Sequence, residues 1–123
     1  MEIIYHSERL EKQCTDLNKA KNVFGGQMKL AVSLLARINA IEQAETLKDI
    51  VVMPTFRFHN LKNKNGRNLK GYFAIDVRTR RDPWRIILQP LDENEEPYEN
   101  VEIDKVAFKV RIVEIMEVSN HYE

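Results

Sequence analysis

Apolar positions recur along this chain at two different periods, and the change of period divides it near residue 50. Ile3 to Tyr5 reads as a short strand. Ser7 then offers a side-chain oxygen for a helix start, and Glu8 places an anion in the first turn. Leu10, Cys14, Leu17 and Phe24 follow at helical spacing, which predicts one amphipathic helix ending between Lys21 and Phe24. Gly25 and Gly26 break it. A second helix is predicted over 27–44, where Met28, Ala31, Leu34, Leu35, Ile38 and Ile41 make one broad apolar face. A further helical turn is expected over 46–50.

Past that point the period falls to two. Residues 55–61 alternate, with Phe56 and Phe58 facing one way and Arg57 and His59 the other. A turn over 63–68 contains Lys64, Asn65 and Gly66. Residues 69–78 alternate again, placing Phe73, Ile75 and Val77 on one face and Tyr72, Asp76 and Arg78 on the other. Residues 79–83 form a tight connection around Asp82-Pro83. A strand over 84–89 follows, with Trp84, Ile86 and Leu88 on one face and Arg85, Ile87 and Gln89 on the other. Residues 110–118 make the last strand, but both its faces are half apolar and the pattern does not orient it.

The order β-α-α-β-β-β-β predicts an α+β fold: an N-terminal strand and a helical hairpin packed on a mostly antiparallel sheet of four to five strands. The 123 residues suit a single domain, 1–123, with one modest core. The lone Cys14 leaves no intramolecular disulfide and no cysteine-rich zinc site. Three scattered histidines do not make metal-ligand spacing either. No apolar run approaches membrane-spanning length, and the first ten residues are too charged for a signal peptide. A cytoplasmic protein is expected.

Charge changes this picture more than composition does. The formal net charge is zero, with 19 Lys and Arg against 19 Asp and Glu. Residues 92–104 alone hold seven acids and no base, so the remainder carries +7. That insert reads as a solvated loop between strands, with a phosphate-mimicking flap as the rival reading. Residues 57–89 hold nine Lys and Arg and two acids, Asp76 and Asp82. The face opposite the helices would then expose Arg57, His59, Tyr72, Arg78 and Arg85, a cationic surface suited to phosphate.

An ordered series of short motifs lies in this half. Phe58-His59-Asn60-Leu61-Lys62 comes first, then Gly71-Tyr72-Phe73-Ala74-Ile75-Asp76-Val77, then Trp84-Arg85-Ile86-Ile87. Val113-Glu114-Ile115 opens the closing segment, which runs to Asn120-His121-Tyr122. The series resembles the HigB branch of the RelE/ParE toxin superfamily, which reads H-x-L-K-G, G-x-(aromatic)-(small)-I-x-V, W-R-(apolar)-(apolar) and V-E-I-x-D-Y-H. The likeness covers the second half in motif and the helical hairpin in architecture only. The chain departs from it in three places. Asn120-His121-Tyr122 stands where the family has Asp-Tyr-His, Asn63 replaces a glycine, and the acidic insert lengthens the last connection. The resemblance implies a RelE-like fold and the toxin of a type II toxin–antitoxin pair. It implies mRNA cleavage on the ribosome without metal or cofactor. It further implies a cognate helix-turn-helix antitoxin, through which alone operator DNA would be met.

Metal-free RNA cleavage needs a base for the attacking 2′-hydroxyl, an acid for the departing 5′-oxygen, and cations for the phosphoryl oxygens. His59, His121 and Tyr122 are the candidates for proton transfer. Arg85 is the candidate to hold the scissile phosphate, with a structural ion pair to Asp76 or Glu114 as its rival role. Arg57, Lys62, Lys64, Arg67, Lys70 and Arg78 are candidates for phosphate, Tyr72 for stacking on a base, and Asn120 for positioning. His6 reads as a surface residue at a strand end, and Cys14 as core packing. Two other outcomes fit the same residues: a non-enzymatic binding toxin, and a regulatory partner without chemistry.

Overall fold

A computed structural model describes residues 1–61, 68–98 and 102–122. The predicted turn over 63–68 and the candidates Lys62, Lys64 and Arg67 therefore lie outside the described residues, Asn68 excepted. Among the described residues the chain is α+β, with five helices on one open mixed sheet of five strands. The strands are β1 (Glu2–Tyr5), β2 (His59–Asn60), β3 (Phe73–Asp76), β4 (Arg85–Leu91) and β5 (Ile112–Ser119). Their order is β1-β5-β4-β3-β2. β1 runs parallel to β5, and the other three pairings are antiparallel. No helix among the described residues is long and apolar enough to cross a membrane.

The predicted first helix is two helices. α1 (Glu8–Thr15) starts where Ser7 Oγ accepts the Leu10 N–H, as the sequence suggests. It stops at Asp16, whose extended backbone ends α1 while its carboxylate accepts the Lys19 N–H and opens α2 (Leu17–Val23). An aspartate capping its own local backbone competes with helix continuation. The break turns Leu17 outward, so it is exposed at 39% instead of joining the core. Gly25 and Gly26 sit at φ +62° and +91°, conformations open to glycine, and reverse the chain into α3 (Met28–Gln43). α3 keeps the predicted span and face, with Ala31, Leu34, Ile38 and Ile41 each 2% exposed or less. Met28 falls outside that face and is exposed. α4 (Lys48–Val51) is the expected extra turn. α5 (Ile103–Val106) leads into β5 through a 3-10 turn at Ala107–Lys109.

The helices pack on one face of the sheet. Phe73, Ile75, Ile86, Leu88, Val113 and Ile115 meet Leu34, Ile38 and Ile41 in one continuous core. Phe24 meets the Trp84 ring edge-on at 4.9 Å between centroids. Cys14 is 1% exposed, and burial pushes its thiol up to about 12.

The opposite face corrects a sequence expectation. It is not an open cationic surface. Ala74 and Ile87, which point that way, are covered by Leu61 and Leu69 in a second apolar cluster, against which Tyr72, Met116 and Tyr122 pack. The strand expected over 55–61 shrinks to two residues. Pro54–Phe56 is a 3-10 turn and Arg57 adopts φ 48°, ψ 53°, so Phe56 and Arg57 never enter the sheet. Arg78 likewise lies beyond the end of β3, in the loop.

β5 resists orientation because it carries a bulge. Leu88 pairs with Ile115 but Ile87 pairs with Glu117, leaving Met116 as the extra residue. Val113 and Ile115 face the helices, and after the bulge Val118 does so rather than Glu117. The side-chain period slips by one, which spreads apolar residues over both nominal faces.

Two outcomes check this arrangement. Leu34→Ala should cost about 2–5 kcal/mol in urea unfolding, the range for a buried leucine. Leu17→Ala should stay within about 0.5 kcal/mol, as exposed positions do. The Cys14 thiol titrates near 9 when ordinary and higher when folded, so the folded state holds its proton longer. Its contribution to stability is complete below about pH 9 and should fall as pH rises toward about 12. A disulfide reagent at pH 8 should label Cys14 only in unfolded protein.

Candidate nucleic-acid interface

Asp76 organises one end of the sheet. It ends β3 and is 1% exposed, too buried to hold a charge without partners. Arg57 Nε donates to both of its carboxylate oxygens at 3.1 Å, and Arg57 Nη2 donates to Oδ1 at 2.9 Å. Arg85 lies directly across the β3–β4 ladder, with Nε 3.3 Å from Oδ1. One buried carboxylate thus lies between two guanidiniums. The left-handed conformation of Arg57 is uncommon for a residue with a Cβ. The bidentate bond to Asp76 holds Arg57 on the side-chain side.

The remaining donors of Arg85 hold the loop between β3 and β4. Arg85 Nη1 donates to the carbonyls of Asp82 at 2.7 Å and Trp84 at 2.8 Å, and Nη2 donates to the Arg80 carbonyl at 3.1 Å. Arg37 reaches the loop from α3. Its Nε donates to the Asp76 carbonyl at 3.0 Å, and its Nη2 donates to the carbonyls of Arg78 and Thr55 at 3.1 Å each. Its guanidinium stacks 4.1 Å over the Phe56 ring. Burial lowers the Arg37 pKa from its ordinary value, and the nearby charges of Asp76 and Asp82 oppose that. Asp82 closes the loop by accepting from the Thr79 and Trp84 backbone N–H groups.

Buried Arg85 and half-buried Arg37 therefore fasten a loop whose outer surface is itself arginine. Arg78, Arg80 and Arg81 are exposed, and no carboxylate of the described residues forms an ion pair with them. The strand directions bring the predicted residues to this same end. β3 ends here, β4 begins here, β5 ends here at Ser119, which pairs with Arg85, and β2 begins here at His59.

The sequence candidates divide into four groups. Arg57, Arg78, Arg85, His59, Asn120 and His121 share the arginine end. Arg85, 5% exposed, is on the interior side, in the ion-pair role with Asp76 rather than on an open face. His59 Nδ1 donates to the Arg57 carbonyl at 2.6 Å, and its Nε2 is buried with no hydrogen-bond partner among the described residues. His121 and Asn120 are exposed, and the His121 N–H donates to Ser119 Oγ at 3.1 Å. Tyr72 and Tyr122 form a second group, half-buried together against the covered sheet face. Lys70 stands apart at the other end of β3. There it lines a cavity of about 680 Å³ with Tyr72, Tyr98, Glu102 and Asp104. The described part of the acidic insert thus shares this cavity with Lys70, and lies at the end of β4 away from the arginine loop. Lys62, Lys64 and Arg67 lie outside the described residues.

Tyr72 and Tyr122 also line a groove of about 250 Å³ with His6, Ile87, Met116 and Glu117. His6 is a surface residue at the end of β1, as expected, but its Nδ1 lies 3.2 Å from Glu114 Oε2, which sets the ring's orientation.

Sequence reading missed Arg37, Arg80, Arg81 and Glu117 as parts of these sites. Arg37 left a signal: it interrupts the stretch between Leu34 and Ile38 on a helix that is otherwise apolar there. Asp76 left another, as an acid between Ile75 and Val77 in a strongly basic stretch. Glu117 left none, because the bulge decides its face.

Compared with known proteins, the chain matches no family model and no curated sequence.

Asp76→Asn should cost about 3–5 kcal/mol, since it leaves two guanidiniums around a neutral group. Arg78→Ala, which removes only an exposed side chain, should stay within about 0.5 kcal/mol. Urea unfolding of the two variants beside the parent protein checks both.

Proposed function

We propose that this chain is a RelE-like, HigB-type toxin of a type II toxin–antitoxin pair, acting as a metal-independent endoribonuclease on mRNA at the ribosome. The observation that carries this reading is the arginine end of the sheet. Exposed Arg78, Arg80 and Arg81 sit on a rigidly held loop, beside the strand end that leads to Asn120, His121 and Tyr122. The architecture also fits the motif resemblance. A first strand, a helical hairpin and a mostly antiparallel sheet are what such a toxin would have. A cognate helix-turn-helix antitoxin and a cytoplasmic setting belong to the same proposal.

In this reading the 2′-oxygen of the RNA attacks the adjacent phosphorus and its proton passes to His121. The bond from phosphorus to the 5′-oxygen breaks, leaving a 2′,3′-cyclic phosphate and a 5′-hydroxyl. Tyr122 or His59 returns a proton to that 5′-oxygen, and Asn120 positions the phosphate. The exposed loop arginines take the phosphate contacts, because their planar forks match its oxygens. Arg85 and Arg57 act behind them by holding the loop and Asp76.

The enclosed Nε2 of His59 and the buried guanidinium of Arg85 favour one second reading, a toxin that binds its target without cleaving it. Inducing the chain in cells and mapping mRNA 5′ ends by primer extension separates the two. New ends within codons should be present, and His121→Ala should reduce them by about 10²–10⁴-fold, the usual worth of one proton-transfer group. His59→Ala beside it reports whether that ring takes part. Growth arrest with intact mRNA would leave the binding toxin, and cleavage unaffected by His121→Ala would end the assignment of His121.

A further inference from the structure

The groove bounded by Tyr72 and Tyr122 has the make-up of a site for a flat heterocycle. Its floor is apolar: Ile87 and Leu69 are 3% and 4% exposed. Tyr72 and Tyr122 line it beside that floor, together with Met116, the extra residue at the bulge of β5. Ring walls over an apolar floor accept an unstacked base, because every base has a π-face. A few polar groups on the rim then decide which base is held. Here the polar lining is Glu117, His6 and Asn68, and the Asn68 side-chain oxygen already accepts the Lys70 N–H at 3.0 Å. His6 is committed to Glu114 at 3.2 Å, and Glu117 forms no ion pair among the described residues.

The bulge is what puts Glu117 there. In an unbroken ladder the residue two after Ile115 would share its face and point at the helices. The extra residue Met116 turns Glu117 to the groove side instead, across from Ile87. A carboxylate offers acceptors only. Of the four RNA bases, guanine alone presents two adjacent donors, N1–H and the N2 amino group, on its pairing edge. Adenine, cytosine and uracil each put an acceptor next to their donor. The groove also lies close to the arginine loop, since Ile87 is two residues from Arg85, about 7 Å along β4. A nucleotide with its base in the groove would run its backbone toward Arg78, Arg80 and Arg81.

We propose that this groove holds one unstacked guanine of single-stranded RNA, stacked against Tyr72 and Tyr122, with Glu117 accepting from its N1–H and N2–H. The inference rests on the reading of the chain as an RNA-directed protein and adds to it the base that the site selects.

The test uses the full chain and fluorescent 2′-O-methyl nonamers of uridine with a central guanosine, adenosine or cytidine. These lack the attacking hydroxyl and stay intact during anisotropy titrations. The guanosine nonamer should bind about tenfold more tightly than the others, the scale of one good bidentate base contact. Glu117→Gln should bring all three within about twofold of one another. Glu117→Asp, which draws the carboxylate back by one methylene, should show an intermediate loss and serves if the first variant is unstable. Equal affinities in the parent protein would overturn the proposal, and so would a guanosine preference that survives Glu117→Gln. Failure to bind any nonamer would overturn it too, and would point to a peptide as the occupant. The nuclease reading is scored separately on unmodified RNA. Guanosine preference without cleavage keeps the groove and removes the nuclease, and cleavage without base preference does the reverse.

Discussion

A single buried carboxylate holds the arginine end of the sheet together. Asp76 lies out of water between the guanidiniums of Arg57 and Arg85, while its backbone carbonyl accepts from Arg37. A pair of this kind is weak evidence for net stability, because desolvation takes back most of the attraction. Its value here is geometric. Planar guanidiniums have several donors in fixed directions, so an arginine held by Asp76 can still bind carbonyls. Arg85 and Arg37 use those donors on the backbone of the loop between β3 and β4. The loop is thereby rigid although its outer side chains are long and charged.

Rigidity of that loop matters for a phosphate-binding reading. Ordering a flexible cationic loop around a ligand costs conformational entropy at the moment of binding. A loop already fastened at its carbonyls avoids much of that cost. The exposed cations Arg78, Arg80 and Arg81 project from this frame, and the frame itself is made of more arginine. A run of cations in the sequence therefore separates into two groups, one paired with Asp76 and one exposed.

The sheet is electrically graded from one end to the other. Arginines gather where β3 ends and β4 begins, while Glu102 and Asp104 stand with Lys70 near the far end. Neutral net charge conceals this, because both ends of the gradient lie in one chain and cancel in the sum. Between the ends, the face away from the helices is closed by Leu61, Leu69, Ala74 and Ile87. The groove at Tyr72 and Tyr122 opens on that face, so in the proposed reading a strand of RNA would meet cations and aromatic surface as neighbours.

Elements with a strong local period were legible from the residues. The span and inner face of α3, the capping of α1 by Ser7, the glycine reversal and the inward set of Phe73, Ile75, Ile86 and Leu88 all follow from spacing and local hydrogen bonding. The motifs near His59 and Trp84-Arg85 likewise marked the half of the chain that carries the charge. Features set by contacts distant in sequence were not legible. Arg85 read either as a phosphate-binding cation or as an ion-pair partner of Asp76 or Glu114, and only the ladder that sets Asp76 opposite it decided. Glu117 had no readable face until Met116 was found to be the bulge. One local feature was missed as well: Asp16 looked like one residue of a longer helix, although its carboxylate caps the Lys19 N–H only three residues on. Period and capping are properties of a few neighbouring residues, so sequence carries them. Burial of a charge, and the register of one strand on the next, depend on partners many residues away, and folding alone brings those together.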